Sequence, residues 1–370
     1  MAKPVGEVPP FLPYACPVTP ADLSRTVLHA VRRAVDEDAL RAQVPARVRV
    51  ERTRPGGSGD YACAVALQLA GPAALPARDV AALLRDRVLG APGIGRVEIT
   101  GPGFLNFTLD ASADAETRAA RVREVRELGL RYGRVTVEAG RLHRLHHPRE
   151  VRAAVVAQGV ARLLRTQGGQ VLVGCTEEPD PYWEELRVRV GLRYGAEESA
   201  EIRPVPAGAT AEALVDRLGC EAALWGLQRP AAHDHAPLGD DLLVQGEANP
   251  FFLVRYAHAR TRALTREAER LGLTGGYDAD VDAPALHAAI ADHPGVLAAA
   301  ARHHAPDRLA RHLEAVADAF LTFQATTPPL PVGDEKPSAA HRSRLALAEA
   351  AGKVLAGGLF VLGISAPRHL

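Results

Sequence analysis

From Asn249 to its last residue the chain reads as almost continuous helix, so this third of the molecule must bury helix against helix. Asn249 is a good N-cap and Pro250 fits the first helical position. Helical apolar spacing continues through Thr265–Leu271, Pro284–Ala291, Val296–Arg302, Arg308–Thr322 and Ser338–Leu355, with a Pro-rich loop at Thr326–Pro337. The most apolar stretch near the end, Val354–Ile364, is too short to span a bilayer and holds Gly357 and Gly358. It reads as a core-facing helix end.

The front of the chain follows a different grammar. Residues 1–20 carry six prolines and read as an extended arm, with Thr19 able to cap a helix whose apolar face is Leu23, Val27, Val31 and Val35. Val44–Glu51 alternates like a strand, Arg52–Asp60 is a Gly-rich loop, and Tyr61–Leu69 fits helix or strand. Ala77–Leu89 is helical. Val97–Ile99 and Leu105–Leu109 read as strands about a Gly101-Pro102-Gly103 turn. Ser112–Tyr132 is a helical connector with charges of alternating sign, the pattern of a solvated face. Val135–Glu138, Pro148–Thr166 and Gln170–Val173 then read as strand, helix, strand, a βαβ-like piece of parallel character. A proline-bearing loop leads to a helix at Thr210–Leu218.

The expected fold is therefore multi-domain α+β: an α/β N-terminal domain, a small Rossmann-like α/β remnant and an all-α C-terminal bundle. The boundaries are 1–20 for the arm, 21–111 for the first domain and 112–133 for the connector. The remnant takes 134–208, a connecting helical region 209–248, and the helical domain 249–370. A length of 370 residues accommodates these units.

Global charge gives no sign of a nucleic-acid footprint, because the formal net charge is +0. Any RNA site must be a local patch built from Arg, whose planar fork suits phosphate. Cys16, Cys63, Cys175 and Cys220 lie far apart, without metal or redox spacing, and read as reduced thiols of a cytoplasmic protein. The start of the chain lacks an apolar signal core. His143, His146 and His147 cluster, but no Cys or carboxylate spacing accompanies them, so no metal is expected and a relic loop is the simpler reading.

Three separated segments resemble one family. NPFFLVRYAHARTRAL (Asn249–Leu264), above all Asn-Pro followed by Tyr256–Arg260, is similar to the opening of the DALR anticodon-binding domain of arginyl-tRNA synthetases. RLALAEAAGKVLAGGLFVLGISAPRHL (Arg344–Leu370) looks like that family's last helix and tail, with Leu370 in place of a usual Met. GDYACAVALQL (Gly59–Leu69) and GPGFLNFTL (Gly101–Leu109) look like the family's additional N-terminal domain. The matches fall in the family's order.

The resemblance also implies what the middle lacks. Aligning Ala161–Leu164 places the class I HIGH motif on His147-Pro148-Arg149-Glu150. The first His is kept, the second has become Glu150, and Arg152 matches an Arg that often follows. A helix N-terminus suits phosphate, and a carboxylate there opposes it. At ~4 Å and an effective dielectric near 20, that repulsion is of order 4 kcal/mol, about a thousandfold. The segment Ile202–Leu214, where a KMSK-type lysine belongs, contains no Lys, and 134–208 is short for a complete catalytic domain. No cofactor is expected, and ATP binding is not supported.

The resemblance also nominates RNA contacts. Phe104 and Asn106 fall where the family touches an exposed D-loop base, an aromatic to stack and an amide to read an edge; a core strand is the alternative. Tyr256 and Arg260, four apart on one helix face, fall where the family holds the anticodon loop; a buried seam is the alternative. Phe320 and Phe323 fall where the family places anticodon aromatics, but Gln324 replaces a further aromatic and a core stripe is the bland reading. His258, His303 and His304 are assigned no RNA role.

The expected function is a non-catalytic paralogue that binds tRNA, arginine tRNA being the candidate, through both ends. A regulatory protein-interaction module and a residual arginine–tRNA ligase are the alternatives. A protein partner fits the first alternative, and no membrane or DNA partner is expected.

Overall fold

The computed structural model describes residues 20–53, 58–91, 93–109, 111–175, 177–189, 199–367 and 369. The proline arm before Pro20, the Thr19 cap, Cys16 and Leu370 lie outside these residues. The chain divides into two compact units, 1–121 and 122–370, with the boundary inside helix α4 (Ala111–Leu128).

The first unit packs helices on one antiparallel sheet. Helix α1 (Pro20–Asp36) buries Leu23, Val27 and Val31, as its spacing predicts. Strands β1 (Val50–Arg52), β2 (Tyr61–Cys63), β3 (Ile94–Thr100) and β4 (Phe104–Leu109) form a sheet of order β1-β2-β4-β3, antiparallel throughout. The ambiguous stretch Tyr61–Leu69 is both things in turn: β2, then helix α2 (Val65–Ala73). Helix α3 (Ala77–Val88) buries Val80, Leu84 and Val88 in the same core as Leu105 and Phe107. The alternation over Val44–Glu51 overstates the strand. Only Val50–Arg52 pair, because their partner β2 is three residues long.

The second unit joins a three-stranded parallel sheet to a helical bundle. Its strands are β5 (Leu142–His146), β6 (Gln170–Gly174) and β7 (Ala200–Glu201), in the order β6-β5-β7. Helix α5 (Val151–Thr166) connects β5 to β6 as in a βαβ unit. The strand expected at Val135–Glu138 is instead extended chain and turn, and the strand lies at Leu142–His146. The three histidines expected in a relic loop thus occupy β5 and the residue after it. Helix α6 (Ala211–Gln228) is capped by Thr210, whose hydroxyl accepts from the Ala213 N–H at 3.2 Å. It breaks at Gly219 (φ 73°) and continues nine residues beyond, so the helix expected to end at Leu218 has a second half.

The bundle consists of α7 (Pro250–Arg270), α8 (Pro284–Arg302), α9 (Pro306–Thr326) and α10 (Ala339–Leu362). Helix α8 runs through Pro294 where two helices were expected, and α7 runs unbroken through Thr265. Ser338 caps α10. This helix is long and apolar enough to cross a membrane, but 83% of its most apolar window is buried inside the protein. Among the described residues no three His, Cys, Asp or Glu side chains gather as a metal-holding group.

Candidate nucleic-acid interface

The tip of the β3–β4 hairpin presents Phe104. Gly103 (φ 140°) lies so close to α3 that a Cβ would meet the Ala77 carbonyl oxygen at 2.8 Å, which explains the glycine in this turn. Phe104 opens β4 opposite Thr100 and is 37% exposed, an aromatic face on the rim of the sheet. Asn106, two residues on, is buried. Its Nδ2 donates to Thr100 Oγ1 at 2.6 Å, so that amide donor braces the hairpin. The structure thus leaves the ring open and turns the amide inward.

Helix α7 is locked at its start by Asn249. The side-chain oxygen accepts from Phe251 N at 3.0 Å, while Nδ2 donates to the carbonyls of Leu242 and Val244. Two turns on, Tyr256 is 37% exposed and stacks on Phe252, with centroids 5.6 Å apart and planes 18° apart. Arg260, on the same face, is half-buried. With the Gln324 amide turned so that its oxygen faces α7, that oxygen accepts from Arg260 Nε at 3.3 Å and Nη2 at 2.6 Å. The residue that departs from the family's aromatic therefore partners Arg260. Phe320 and Phe323 lie on the inner face of α9 and are core residues, fully and almost fully buried. Neither ring has a face open to a base, because the helix turns both toward the bundle. His258 is buried, and its Nδ1–H donates to the Pro367 carbonyl at 2.9 Å.

The segment His147–Glu150 sits where a parallel sheet ordinarily receives a ligand, outside the carboxyl ends of its strands at the start of a helix. Here the helix start is already occupied. Glu150 is the N-cap of α5, and its Oε2 accepts from Ala153 N at 2.8 Å. Its Oε1 accepts from Ala207 N, also at 2.8 Å, which ties in the chain after β7. One carboxylate thus fills both the helix terminus and the gap to the neighbouring loop. His147 is fully buried and its ring leans on Trp183, with centroids 5.5 Å apart. Its Nδ1–H donates to the Pro148 carbonyl, which leaves Nε2 as an unprotonated acceptor without a partner. Burial lowers its pKa and keeps it neutral. Both ring nitrogens of buried His146 also lack partners.

Arg152 faces the opposite way and is fully buried. All five of its N–H groups meet backbone carbonyls: Nε that of Leu227, Nη1 those of Val205 and Asp234, and Nη2 those of Pro230 and Ala231. It clamps the end of α6 and the turn beyond it. Sequence reading missed this role, and that of Trp183, because their partners lie 53–82 residues away for the first and 36 for the second in a segment with no periodic pattern.

An α/β unit followed by a parallel βαβ sheet and a four-helix C-terminal bundle is the architecture of a class I aminoacyl-tRNA synthetase relative. Residues 22–109 match the arginyl-tRNA synthetase N-terminal domain, and residues 254–370 match the DALR anticodon-binding domain. The chain belongs to the arginyl-tRNA synthetase family. It is 25% identical to an arginine–tRNA ligase of Micrococcus luteus, with 95% of this chain and 100% of the relative covered, and 27% identical to that of Frankia alni over the same shares. The fold is shared with arginyl-tRNA synthetase of Thermus thermophilus (TM-score 0.69, 14% identity, 95% and 100% of the chains covered). It is also shared with that of Plasmodium falciparum (TM-score 0.65, 8% identity, 95% and 99% covered). The Micrococcus alignment spans 558 positions against 370 residues here, so at least 188 positions have no counterpart in this chain. Because the relative is covered end to end, this shortfall is internal.

Proposed function

We propose that this chain is a non-catalytic arginyl-tRNA synthetase paralogue that binds tRNA through its N-terminal and anticodon-binding domains. The observation that carries the reading is Glu150. Its carboxylate takes the α5 N–H that a phosphate would use and is bonded to Ala207 at the same time. A nucleotide phosphate entering there faces a fixed negative charge, a repulsion of order 4 kcal/mol at ~4 Å. The neutral His147, with its proton directed at Pro148, has no donor left for a developing charge. The internal shortfall of at least 188 positions supports the same conclusion.

RNA binding is supported by both matched domains and by two exposed aromatics, Phe104 and Tyr256. An exposed ring stacks on a splayed base at about 1–3 kcal/mol per base. In this reading Asn106, Phe320 and Phe323 support their elements from within, and Arg260 reaches RNA only by exchanging Gln324 for it. The test is filter binding of total and arginine-accepting tRNA. Micromolar or tighter binding, weakened about tenfold or more by Phe104→Ala or Tyr256→Ala, is the expected result. Absence of binding at low salt sinks the proposal.

A second reading has one specific point in its favour: the curated relatives are named arginine–tRNA ligases. Arginine-dependent pyrophosphate exchange above a protein-free blank, lost on heating, would establish residual ligase activity and overturn the non-catalytic one.

A further inference from the structure

Helices α7 and α10 approach so closely at Gly352 that a Cβ there would lie 2.3 Å from Thr261 Oγ1. Beside this contact opens a cavity of about 530 Å³. Its charged lining is Arg126, Arg262, Lys353 and Glu349. Arg126 already holds the one carboxylate, with Nε 2.8 Å from Glu349 Oε2, and donates through Nη2 to the Gly275 carbonyl. Arg262 and Lys353 have no ion pair or hydrogen bond among the described residues, and both are half-buried. Lys353 is one of three lysines in the chain and stands in a helix whose most apolar window is 83% buried.

Two like charges held half out of water over one cavity raise each other's free energy, and an anion between them relieves it. Their positive field also reaches His258 on the cavity wall, where, after burial itself, it adds to the forces keeping the imidazole neutral. The hydroxyls of Thr261 and Thr265 donate to helix carbonyls, so Arg262 and Lys353 are the donors left for an incoming group. On α7 these residues face away from Tyr256 and Arg260, so the cavity is separate from the surface described above.

We propose that the cavity between α7 and α10 binds a phosphate group, held by Arg262 and Lys353. The cation pair and the volume suit a phosphate borne by a small molecule or by an RNA backbone. Only the second source rests on the tRNA reading.

The test uses the full chain at constant ionic strength. Thermal unfolding is followed as inorganic phosphate replaces chloride, for the wild type and for Arg262→Gln with Lys353→Met. The wild-type midpoint is expected to rise by about 3 °C at a phosphate concentration ten times its Kd, and that of the double variant to stay fixed. Broadening of the phosphate ³¹P resonance by wild-type protein, reversed by pyrophosphate, reads the site without any variant. It decides the matter if the double variant fails to fold. A second arm measures tRNA affinity against salt. A slope reduced by about 1–2 in the double variant assigns the phosphate to RNA, and an unchanged slope, or no tRNA binding at all, assigns it to a free ligand. A wild type that responds to phosphate no more than to chloride, in both midpoint and line width, overturns the proposal. So does a folded double variant that responds like the wild type.

Discussion

At the residue scale, the start of α5 is decided by two side chains with opposite tasks. Glu150 closes a helix end with one oxygen and a loop with the other, so Glu150→Ala leaves two backbone N–H groups without partners. We expect a loss of about 1–2 kcal/mol in urea unfolding. Glu150→Gln, which keeps one acceptor oxygen, should lose about half of that. Equal stability of Glu150→Ala and wild type would show that the carboxylate is not holding the α5 terminus. Arg152 carries a heavier duty. Replacing it by Met leaves five carbonyls without donors, those of Leu227 and Pro230 in buried bonds, at about 1–3 kcal/mol for each that water cannot reach. A loss on the order of 4 kcal/mol or more is expected, with Lys restoring only part because it offers three donors without the planar fork. Arg152 shows how a family position misleads when taken alone: an Arg beside a nucleotide motif invites a phosphate role, but every donor it owns faces backbone.

At the element scale, α8 and α9 meet through a ring stack. His293 lies 5.3 Å from His312, with planes 29° apart, and 6.0 Å from Tyr132, with planes 13° apart. Burial pushes the His293 pKa down to about 3, with the neighbouring His312 adding to the shift, and burial brings His312 down to about 4. Both imidazoles are therefore neutral in the folded protein while the unfolded chain takes up protons near pH 6.5. Above that pH neither state is charged and the stack costs nothing. As pH falls from 6.5 toward 4, only the unfolded state gains protons, so stability drops by about 1.4 kcal/mol per unit for each histidine, roughly 2 kcal/mol each at pH 5. Urea unfolding at pH 7, 6 and 5 measures this, and His312→Phe should flatten part of the slope. A profile flat across that range would contradict the buried neutral pair. The same helices show where sequence is legible. Asn249-Pro250 announced α7, because caps and first-turn prolines act locally, whereas α10 was legible from its apolar spacing and its Ser338 cap only from the structure. Pro294 split α8 in the reading but not in the structure, where packing of His293 and Leu297 carries the helix through it. Leu142–His146 was unreadable as a strand: Leu-His-Arg-Leu-His has little β-forming character, and only its pairing with Gln170–Gly174 makes it one. Phe104 was readable as a ring at a hairpin, whereas the inward turn of Asn106 depended on Thr100, six residues back.

At the scale of the whole molecule, a formal charge of +0 separates this chain from proteins that grip nucleic acid with a broad basic face. Most arginines in the described residues are engaged at home: Arg87 with Glu37, Arg187 with Glu221, Arg229 with Glu314, Arg342 with Asp278. Among the described residues, fewer cations remain to displace counterions from RNA. The salt dependence of tRNA binding is thus expected to be shallow, with log K falling against log salt at a slope of about −2 to −4, the mark of a few phosphate contacts. Affinity then has to come from surfaces that salt does not screen, stacking of Phe104 and Tyr256 among them. The two contributions separate in one experiment. Filter binding from 50 to 300 mM salt on Phe104→Ala and Tyr256→Ala should lower affinity at every salt concentration while leaving the slope unchanged. Steep wild-type dependence, or ring variants that alter slope rather than intercept, would mean that RNA is held by charge after all.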